Sequence, residues 1–177
     1  MKKFAILFVS VGFLFLFASQ CLAGKTFMYP SVNPALKITF PDDWSVREDP
    51  DADVGIIVNS PDDEIEIDLW VLDEKDLKRN AERAMDDAAR EVAGLIVYWV
   101  DDFKSGKTEE FTLNGIEFCE VTGTAKDKED GSPVKVSVDF FSPDDKNVFV
   151  MMYWGSEDAE TEHAAELKSI AKSIRKP

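Results

Sequence analysis

The sequence predicts an α+β domain, an α/β/α sandwich in which an antiparallel meander sheet has one helix packed on each face. Residues 64–72 alternate between apolar and polar side chains, as a half-buried strand does. Residues 74–93 then repeat their apolar residues at helical spacing. The run from Val148 to Trp154 is apolar on both faces, so it predicts a central strand that needs cover on both sides.

The first half of the chain divides at its prolines and turn residues. Residues 24–35 carry two prolines and are interpreted as a lead-in arm. Strands are predicted over residues 35–40 and 54–58, and the first of them ends at Pro41. Gly94 lies where a helix-ending glycine belongs, and a short strand is expected over 95–100.

The second half predicts a series of hairpins. Asn114-Gly115 is a strong signal for a two-residue turn, because both positions of a type I′ turn have positive φ. Such a turn pairs Leu113 with Ile116 and Phe111 with Phe118. Asp130-Gly131 marks the next turn. A closing helix is predicted over 157–174, with acidic residues near its start and basic residues near its end.

The N-terminus has the features of a secretory signal peptide. Two lysines precede an apolar run of about 15 residues, which is too short to span a bilayer, and small residues follow it. We expect cleavage after Ala23, so that residues 1–23 are the signal and 24–177 form one domain in a periplasmic or secreted location. In the alternative, Cys21 is acylated and anchors the domain to a membrane as a lipoprotein. Outside the signal, no stretch is long and apolar enough for a membrane span.

The charge of the chain excludes some partners. The net charge is −15, and cleavage would remove two lysines and no acid, leaving −17 on the mature domain. Such a surface repels nucleic-acid phosphates and anionic lipids, so neither is expected as a partner. A charged protein partner should instead present a basic face. An ordinary role in solubility would explain the same charge.

One short motif and the order of elements resemble a known family. Phe40-Pro41-Asp42-Asp43-Trp44 joins an early strand to a Pro-x-x-Trp corner, and the chain closes on Ser169-Ile170-Ala171-Lys172-Ser173-Ile174. With the mid-chain helix and the meander, residues 35–175 resemble the PsbP/Mog-like fold, including the DcrB-type periplasmic proteins. That resemblance implies a mostly non-enzymatic protein, since its members are photosystem accessory subunits, a small-GTPase partner, and phage-adsorption and secretion accessories. They share no catalytic residues, so none is carried over to this chain, and fold alone does not assign a function.

Catalytic motifs are missing from the sequence. It has no Gly-x-Ser-x-Gly elbow, no His-Glu-x-x-His and no glycine-rich phosphate loop. The one histidine, His163, lies on an apolar helix stripe, which favours a packed histidine over a general base. Cys119 follows the Asn-Gly turn and is interpreted as an inert core thiol rather than half of a Cys119–His163 dyad.

Two further features are candidate sites. Asp49, Asp51 and Asp53 alternate as ligands for a hard cation such as Ca²⁺ do, although they fail the EF-hand pattern and also fit a solvated acidic loop. Trp70 shares a strand face with Glu64, Glu66 and Asp68. It is either covered by a helix at the end of the strand or exposed as an anchor for a partner.

These observations predict an exported, non-catalytic accessory protein that binds a protein or a small ligand and uses no cofactor. Two alternatives remain open. One is a small carboxylate-dependent hydrolase, because 35 acidic residues offer many possible pairs. The other is a secreted binding module tuned by calcium. A deep pocket holding paired carboxylates would favour the enzyme, whereas a shallow face with exposed aromatic residues would favour binding.

Overall fold

The computed structural model describes residues 24–31, 33–48, 55–72, 96–144 and 147–177. These residues form nine strands, two helices and one 3₁₀ turn at Ile96–Tyr98. The strands are β1 Gly24–Tyr29, β2 Leu36–Pro41, β3 Ser45–Glu48, β4 Ile56–Asn59, β5 Ile65–Leu72, β6 Val100–Leu113, β7 Ile116–Asp127, β8 Pro133–Phe141 and β9 Val148–Gly155. The helices are α1 Glu157–Glu162 and α2 Ala164–Ser173. The predicted signal peptide (1–23) and the predicted helix (74–93) lie outside the described residues.

Seven of these strands form one antiparallel sheet in the order β3-β4-β5-β9-β8-β7-β6. Strand β9 lies at its centre, between β5 and β8, and most of its residues are buried. The predicted central strand with cover on both faces is therefore confirmed. The second half of the chain is the predicted meander, in which β6, β7, β8 and β9 pair in succession.

Each face of this sheet carries its own apolar core. On the first face, Ile65, Ile67 and Leu69 of β5 pack with Phe141 and Phe149, beneath α1, α2 and the β1–β2 ribbon. The second core contains Trp70 and Leu72 of β5 together with alternate residues of β8 and β9. The members from β8 are Val134, Val136, Val138 and Phe140. Alternate residues of β5 therefore belong to two different cores, because successive side chains of a strand point to opposite faces.

The Asn114-Gly115 hairpin forms in the predicted register. Asn114 has φ 52° and Gly115 has φ 74°, and the flanking pairs are Leu113 with Ile116 and Phe111 with Phe118. The Asn114 amide also donates hydrogen bonds to the carbonyls of Lys172 and Ile174, at 2.9 and 2.7 Å. The tip of the hairpin is therefore fixed to the end of α2.

The predicted lead-in arm is wrong for its first six residues. Gly24–Tyr29 form strand β1, which pairs antiparallel with β2 in a separate two-stranded sheet. The hydroxyl groups of Thr26 and Thr39 lie 2.9 Å apart, and the Phe27 ring packs against Phe40 at 5.8 Å. Pro30 follows the last residue of this strand, and the β-prone Thr-Phe-Met-Tyr run before it forms the strand.

Two other elements differ from expectation. Within the predicted strand 95–100, Ile96–Tyr98 form a 3₁₀ turn, and β6 begins at Val100. The predicted closing helix is broken at His163, which has φ −90° and ψ 9° and separates α1 from α2. Its apolar stripe is nevertheless buried at Ala159, Ile170 and Ile174.

The α+β class is confirmed by this arrangement. Both described helices belong to the first face, so the placement of one helix on each face stays a prediction for residues 74–93. Within the part of the chain that is described, no helix has the length and apolarity needed to cross a membrane.

Candidate functional site: an acidic groove

An open groove of about 1130 Å³ runs across one end of the main sheet. We call it the acidic groove. Its walls come from the turn between β4 and β5, the turn between β7 and β8, the end of β9 and the start of α1. These segments meet because Gly155 at the end of β9 pairs with both Ile65 of β5 and Lys135 of β8.

Negative charge dominates the lining of the groove. Among the described residues that line it, eight are acidic and two, Arg47 and Lys128, are basic, which gives a net charge of −6. The eight are Asp63, Glu64, Glu66, Asp127, Glu129, Asp130, Asp158 and Glu162. A concave surface of one sign concentrates the field and attracts ions of the opposite charge.

Several of these side chains are held in place by local hydrogen bonds. The Asp127 carboxylate accepts from the backbone N–H of Glu129 at 2.7 Å, and that of Asp130 accepts from the N–H of Ser132 at 2.8 Å. The hydrogen bonds from Ser132 lower the pKa of Asp130, so this carboxyl group stays ionised. Across the groove, Asn59 donates to Glu66 at 2.9 Å. These hydrogen bonds hold carboxylates of the β7–β8 turn and of β5 in place, so part of the negative charge of the groove is preorganised.

Two tryptophans add aromatic surface to the acidic groove. Trp99 and Trp154 both line it, and both are only partly buried. The ring of Trp99 stacks on the ring of Trp70 beneath it, with centroids 5.8 Å apart and planes inclined by 29°. A half-exposed indole beside carboxylates suits a cation, since the indole face attracts positive charge.

His163 joins two of the segments that line the groove. Its Nε2 lies 3.0 Å from Asp62 Oδ2, and its Nδ1 lies 2.6 Å from Glu166 Oε2. Ser60 donates to the other oxygen of Asp62 at 2.5 Å, and the His163 ring meets Trp44 edge-on at 5.6 Å. We call this contact the His163 clamp. It ties the β4–β5 turn to the junction of the two helices.

The clamp is strongest when His163 is protonated. Burial lowers the pKa of His163, but the hydrogen bonds and charges of Glu166 and Asp62 outweigh it, and the pKa lies above its ordinary value. The hydrogen bonds from Ser60 and His163 hold the pKa of Asp62 well below its usual range. A histidine with a raised pKa stabilises the fold below about pH 6.5, and this contribution is lost as the pH rises through its folded pKa.

We therefore expect His163→Gln to destabilise the protein most at acidic pH. Glutamine can keep one of the two hydrogen bonds but carries no charge. At pH 5.5 the loss should be about 2 kcal/mol, the scale of hydrogen bonds to charged groups, and it should shrink as the pH rises above 7. Urea unfolding of both proteins at several pH values measures the difference. A gap that stays constant with pH would show that His163 acts by packing alone.

Two further carboxyl groups are buried in the sheet and do not line the groove. Asp68 is 1% exposed, and burial, followed by the charge of Glu66 and opposed by Arg47, raises its pKa to about 7. Asp139 is 7% exposed, and burial, with the charge of Glu120, raises its pKa to about 8. One oxygen of each side chain has no hydrogen-bond partner. Neither residue lines the acidic groove, so neither is placed to act on a ligand there.

The sites predicted from sequence have different outcomes. Asp49, Asp51 and Asp53 lie outside the described residues, so the calcium site stays a prediction; in the described ranges no cluster of metal-ligating side chains occurs. Trp70 is 2% exposed and its ring stacks on Trp99, so it is not an exposed anchor; cover by a helix stays a prediction. Its ring contributes indirectly, by supporting Trp99.

The other two candidates lie on opposite faces of the sheet. His163 packs against Trp44 of the first core, while the half-buried Cys119 packs against the second. A Cys119–His163 dyad is therefore not formed. The packed-histidine interpretation holds, with the addition of two carboxylate partners that the sequence pattern did not reveal.

The pattern of residues along the sequence did not reveal the acidic groove. Its acids are spread over three segments between Asp63 and Glu162, and only the strand register brings them together. The available signals were the acidic turn at 127–130 and the acidic start of the closing helix, which both follow strand ends. Since β7 and β9 flank β8 and both run antiparallel to it, they end at the same edge of the sheet, and the two signals mark one site.

Comparison with known proteins identifies the fold. No family model matches the sequence, and no curated protein matches it. Among solved structures, cyanobacterial PsbP (CyanoP) from Synechocystis sp. PCC 6803 superposes with a TM-score of 0.61 at 9% identity, covering 90% of this chain and 96% of that one. LpqN, involved in cell envelope biogenesis of Mycobacterium tuberculosis, gives 0.59 at 15% identity, with coverages of 88% and 91%.

A third similar structure completes the comparison. The Ran-binding protein Mog1p of Saccharomyces cerevisiae gives a TM-score of 0.51 at 10% identity, covering 87% of this chain and 95% of that one. At such identities the likeness concerns the backbone, and the narrower resemblance to DcrB-type proteins stays a prediction. The matches extend over nearly the whole of each chain. The chain therefore has the PsbP/Mog-like fold.

Proposed function

We propose that this chain is an exported, non-catalytic binding protein whose acidic groove receives a lysine- or arginine-bearing segment of a partner protein. The observation that carries the proposal is the lining of the groove, which combines a net charge of −6 with two half-buried tryptophans. The charge of −15 on the whole chain acts in the same direction, by steering a basic partner toward the protein.

The shape of the groove supports a segment rather than a small molecule. It is open to solvent along its length and bounded by exposed turns, so an extended peptide can lie in it without any closure of the walls. Lysine and arginine side chains can place their aliphatic stems against Trp99 and Trp154 and their charges beside the carboxylates. Such contacts combine a salt-sensitive attraction with an apolar one.

The structural neighbours support a binding role at the level of fold. Mog1p is a Ran-binding protein, so this fold can present a surface to a protein partner. LpqN is involved in cell envelope biogenesis, which agrees with the export that the N-terminal sequence predicts. The hydrolase alternative gains no support, because the two carboxyl groups with raised pKa values, those of Asp68 and Asp139, are buried outside the groove.

A defined peptide tests the proposal. A nine-residue peptide of alternating lysine and glycine should quench tryptophan fluorescence on titration, while a glutamate–glycine peptide should not. Glu64→Gln combined with Glu129→Gln should weaken binding roughly five-fold, because each lining charge contributes about 0.5 kcal/mol. Trp154→Leu should weaken it by a similar factor through the loss of about 1 kcal/mol of cation–π attraction.

The matched control removes the same charge elsewhere. Asp42→Asn combined with Asp43→Asn alters an exposed turn that does not line the groove, and we expect it to leave the affinity nearly unchanged. Raising the salt should weaken binding, since the Debye length falls from about 10 Å at 0.1 M to about 3 Å at 1 M. Equal effects of the two double variants would assign the attraction to overall charge and would overturn the groove as the site.

A further inference from the structure

The edge strand β6 differs along its length in how it is protected against pairing with other chains. In the described part of the molecule, β6 ends the main sheet and has β7 as its one strand neighbour. Its first half has two irregularities in register, between Asp101 and Lys104 and between Ser105 and Thr108, and carries both of its lysines. Bulges and lysines are the usual means by which edge strands avoid added strands.

The second half of β6, from Thr108 to Leu113, has none of these features. It pairs with β7 in unbroken register, and its sequence Thr-Glu-Glu-Phe-Thr-Leu has no lysine, proline or glycine. The hairpin tip that follows is fixed by the Asn114 hydrogen bonds to the end of α2. We call Thr108–Leu113 the open edge. It is a regular, immobilised strand that can act as a template for another.

A stack of four phenylalanines ends at the open edge. Phe111, Phe118, Phe141 and Phe149 lie opposite one another on β6, β7, β8 and β9, with successive ring centroids 5.2, 4.6 and 5.7 Å apart. The inner three rings are buried, whereas Phe111 is 41% exposed. The outer side of the stack therefore offers an apolar surface at the position where the next strand would lie.

The hairpin geometry directs backbone N–H and C=O groups outward on the same edge. In a two-residue hairpin the flanking pair, here Leu113 with Ile116, exchanges both hydrogen bonds, and such pairs alternate with non-bonded ones. Phe111 with Phe118 is then a bonded pair, while Glu110 and Thr112 direct their N–H and C=O groups away from β7. A strand added outside β6 would hydrogen-bond to Glu110 and Thr112.

From this geometry we propose that the open edge is a second binding surface, which receives an extended segment of a partner protein as an added antiparallel strand. The segment carries an aromatic residue opposite Phe111 and lysine or arginine opposite Glu109 and Glu110. Aromatic pairs across strands and opposite charges both stabilise such pairing, and the net charge of −15 opposes a second copy of this chain in that place. The surface lies about 30 Å from the acidic groove, nine residues away along β7.

A designed peptide tests this surface, and a groove variant separates its binding at the open edge from binding in the groove. The peptide Thr-Val-Thr-Phe-Lys-Lys-Thr, aligned antiparallel, places Phe opposite Phe111 and lysines opposite Glu110 and Glu109. Its binding is measured by fluorescence anisotropy of a labelled form. Phe111→Ala should weaken binding about ten-fold, the effect of losing one aromatic anchor. Thr112→Pro should abolish it, because proline removes an outward N–H while leaving the ladder to β7 intact.

The matched control is the same peptide with its backbone N–H groups methylated at alternate residues. Methylation of the residues that face β6 should abolish binding, and methylation of the others should not. The groove variant Glu64→Gln with Glu129→Gln should bind the peptide with unchanged affinity, which separates this surface from the proposed function. Binding that survives Thr112→Pro, or a chain that dimerises through β6 at micromolar concentration, would overturn the proposal. Circular dichroism confirms that each variant is folded.

Discussion

Replacing Asp139 by asparagine should stabilise the protein at alkaline pH. The carboxyl group of Asp139 is buried beside Glu120 and has a pKa of about 8, whereas the unfolded chain ionises it near pH 3.9. The folded state therefore holds a proton that the unfolded state releases, and stability falls as the pH rises from about 4 to 8. Asparagine carries no charge and avoids this loss.

The expected gain grows with pH. Near pH 4 the two proteins should unfold at similar urea concentrations, and at pH 9 the variant should be more stable by up to about 5 kcal/mol, since each unit of pKa shift corresponds to 1.36 kcal/mol. Asp68→Asn should show a smaller gain that is complete near pH 7, because the pKa of Asp68 is raised to about 7. Asp43→Asn, at an exposed turn, is the control. A variant at Asp139 that is destabilised equally at all pH values would show that the carboxyl group is needed as a hydrogen-bonding group.

Truncating Phe141 to alanine should cause the largest loss of stability among single changes in the aromatic stack. The side chain is fully buried and stacks on Phe118 at 4.6 Å and on Phe149 at 5.7 Å. Its removal leaves a cavity between two rigid strands, and buried Phe→Ala changes cost about 3–5 kcal/mol. Urea unfolding should show a lower midpoint with an unchanged slope.

The same truncation at the exposed end of the stack provides the comparison. Phe111→Ala removes a ring that is already in contact with water, so we expect a loss of less than about 1 kcal/mol. Phe141→Leu should lie between the two, since leucine fills most of the space. Similar losses at Phe111 and Phe141 would contradict the difference in burial and would place the main apolar support of the sheet elsewhere.

Local patterns predicted the elements that depend on local chemistry. The Asn114-Gly115 turn and its register follow from the positive φ that both residues adopt, and the central position of β9 follows from its two apolar faces. By contrast, β1 depends on its pairing with β2, and the break at His163 accompanies contacts with Asp62, about a hundred residues away. A pattern within a few neighbouring residues cannot indicate a contact with a residue so far away in the sequence.

The burial of two acidic residues could likewise not be predicted from the local sequence. In sequence, Asp68 and Asp139 occupy the polar positions of alternating strands, a pattern typical of side chains that face water. Their burial follows from the places of β5 and β8 beside the central strand, where both faces are covered. The groove was equally hidden, because its charge is the sum of turns that only the sheet order brings together. Composition indicated a basic partner, but it could not locate the surface.

The attachment of β2 affects how the chain can fold. On one side β2 pairs with β1. On its other side Lys37 forms a β-bridge with Arg175. The backbone N–H of Thr39 also donates a hydrogen bond to the hydroxyl of Ser173, which is 134 residues away. Contacts between such distant positions require the closure of a very long loop, and they slow folding compared with the short hairpins of the meander. β2 therefore acquires its second neighbour only after synthesis has passed residue 175. A chain still emerging from the ribosome therefore cannot complete this part of the fold.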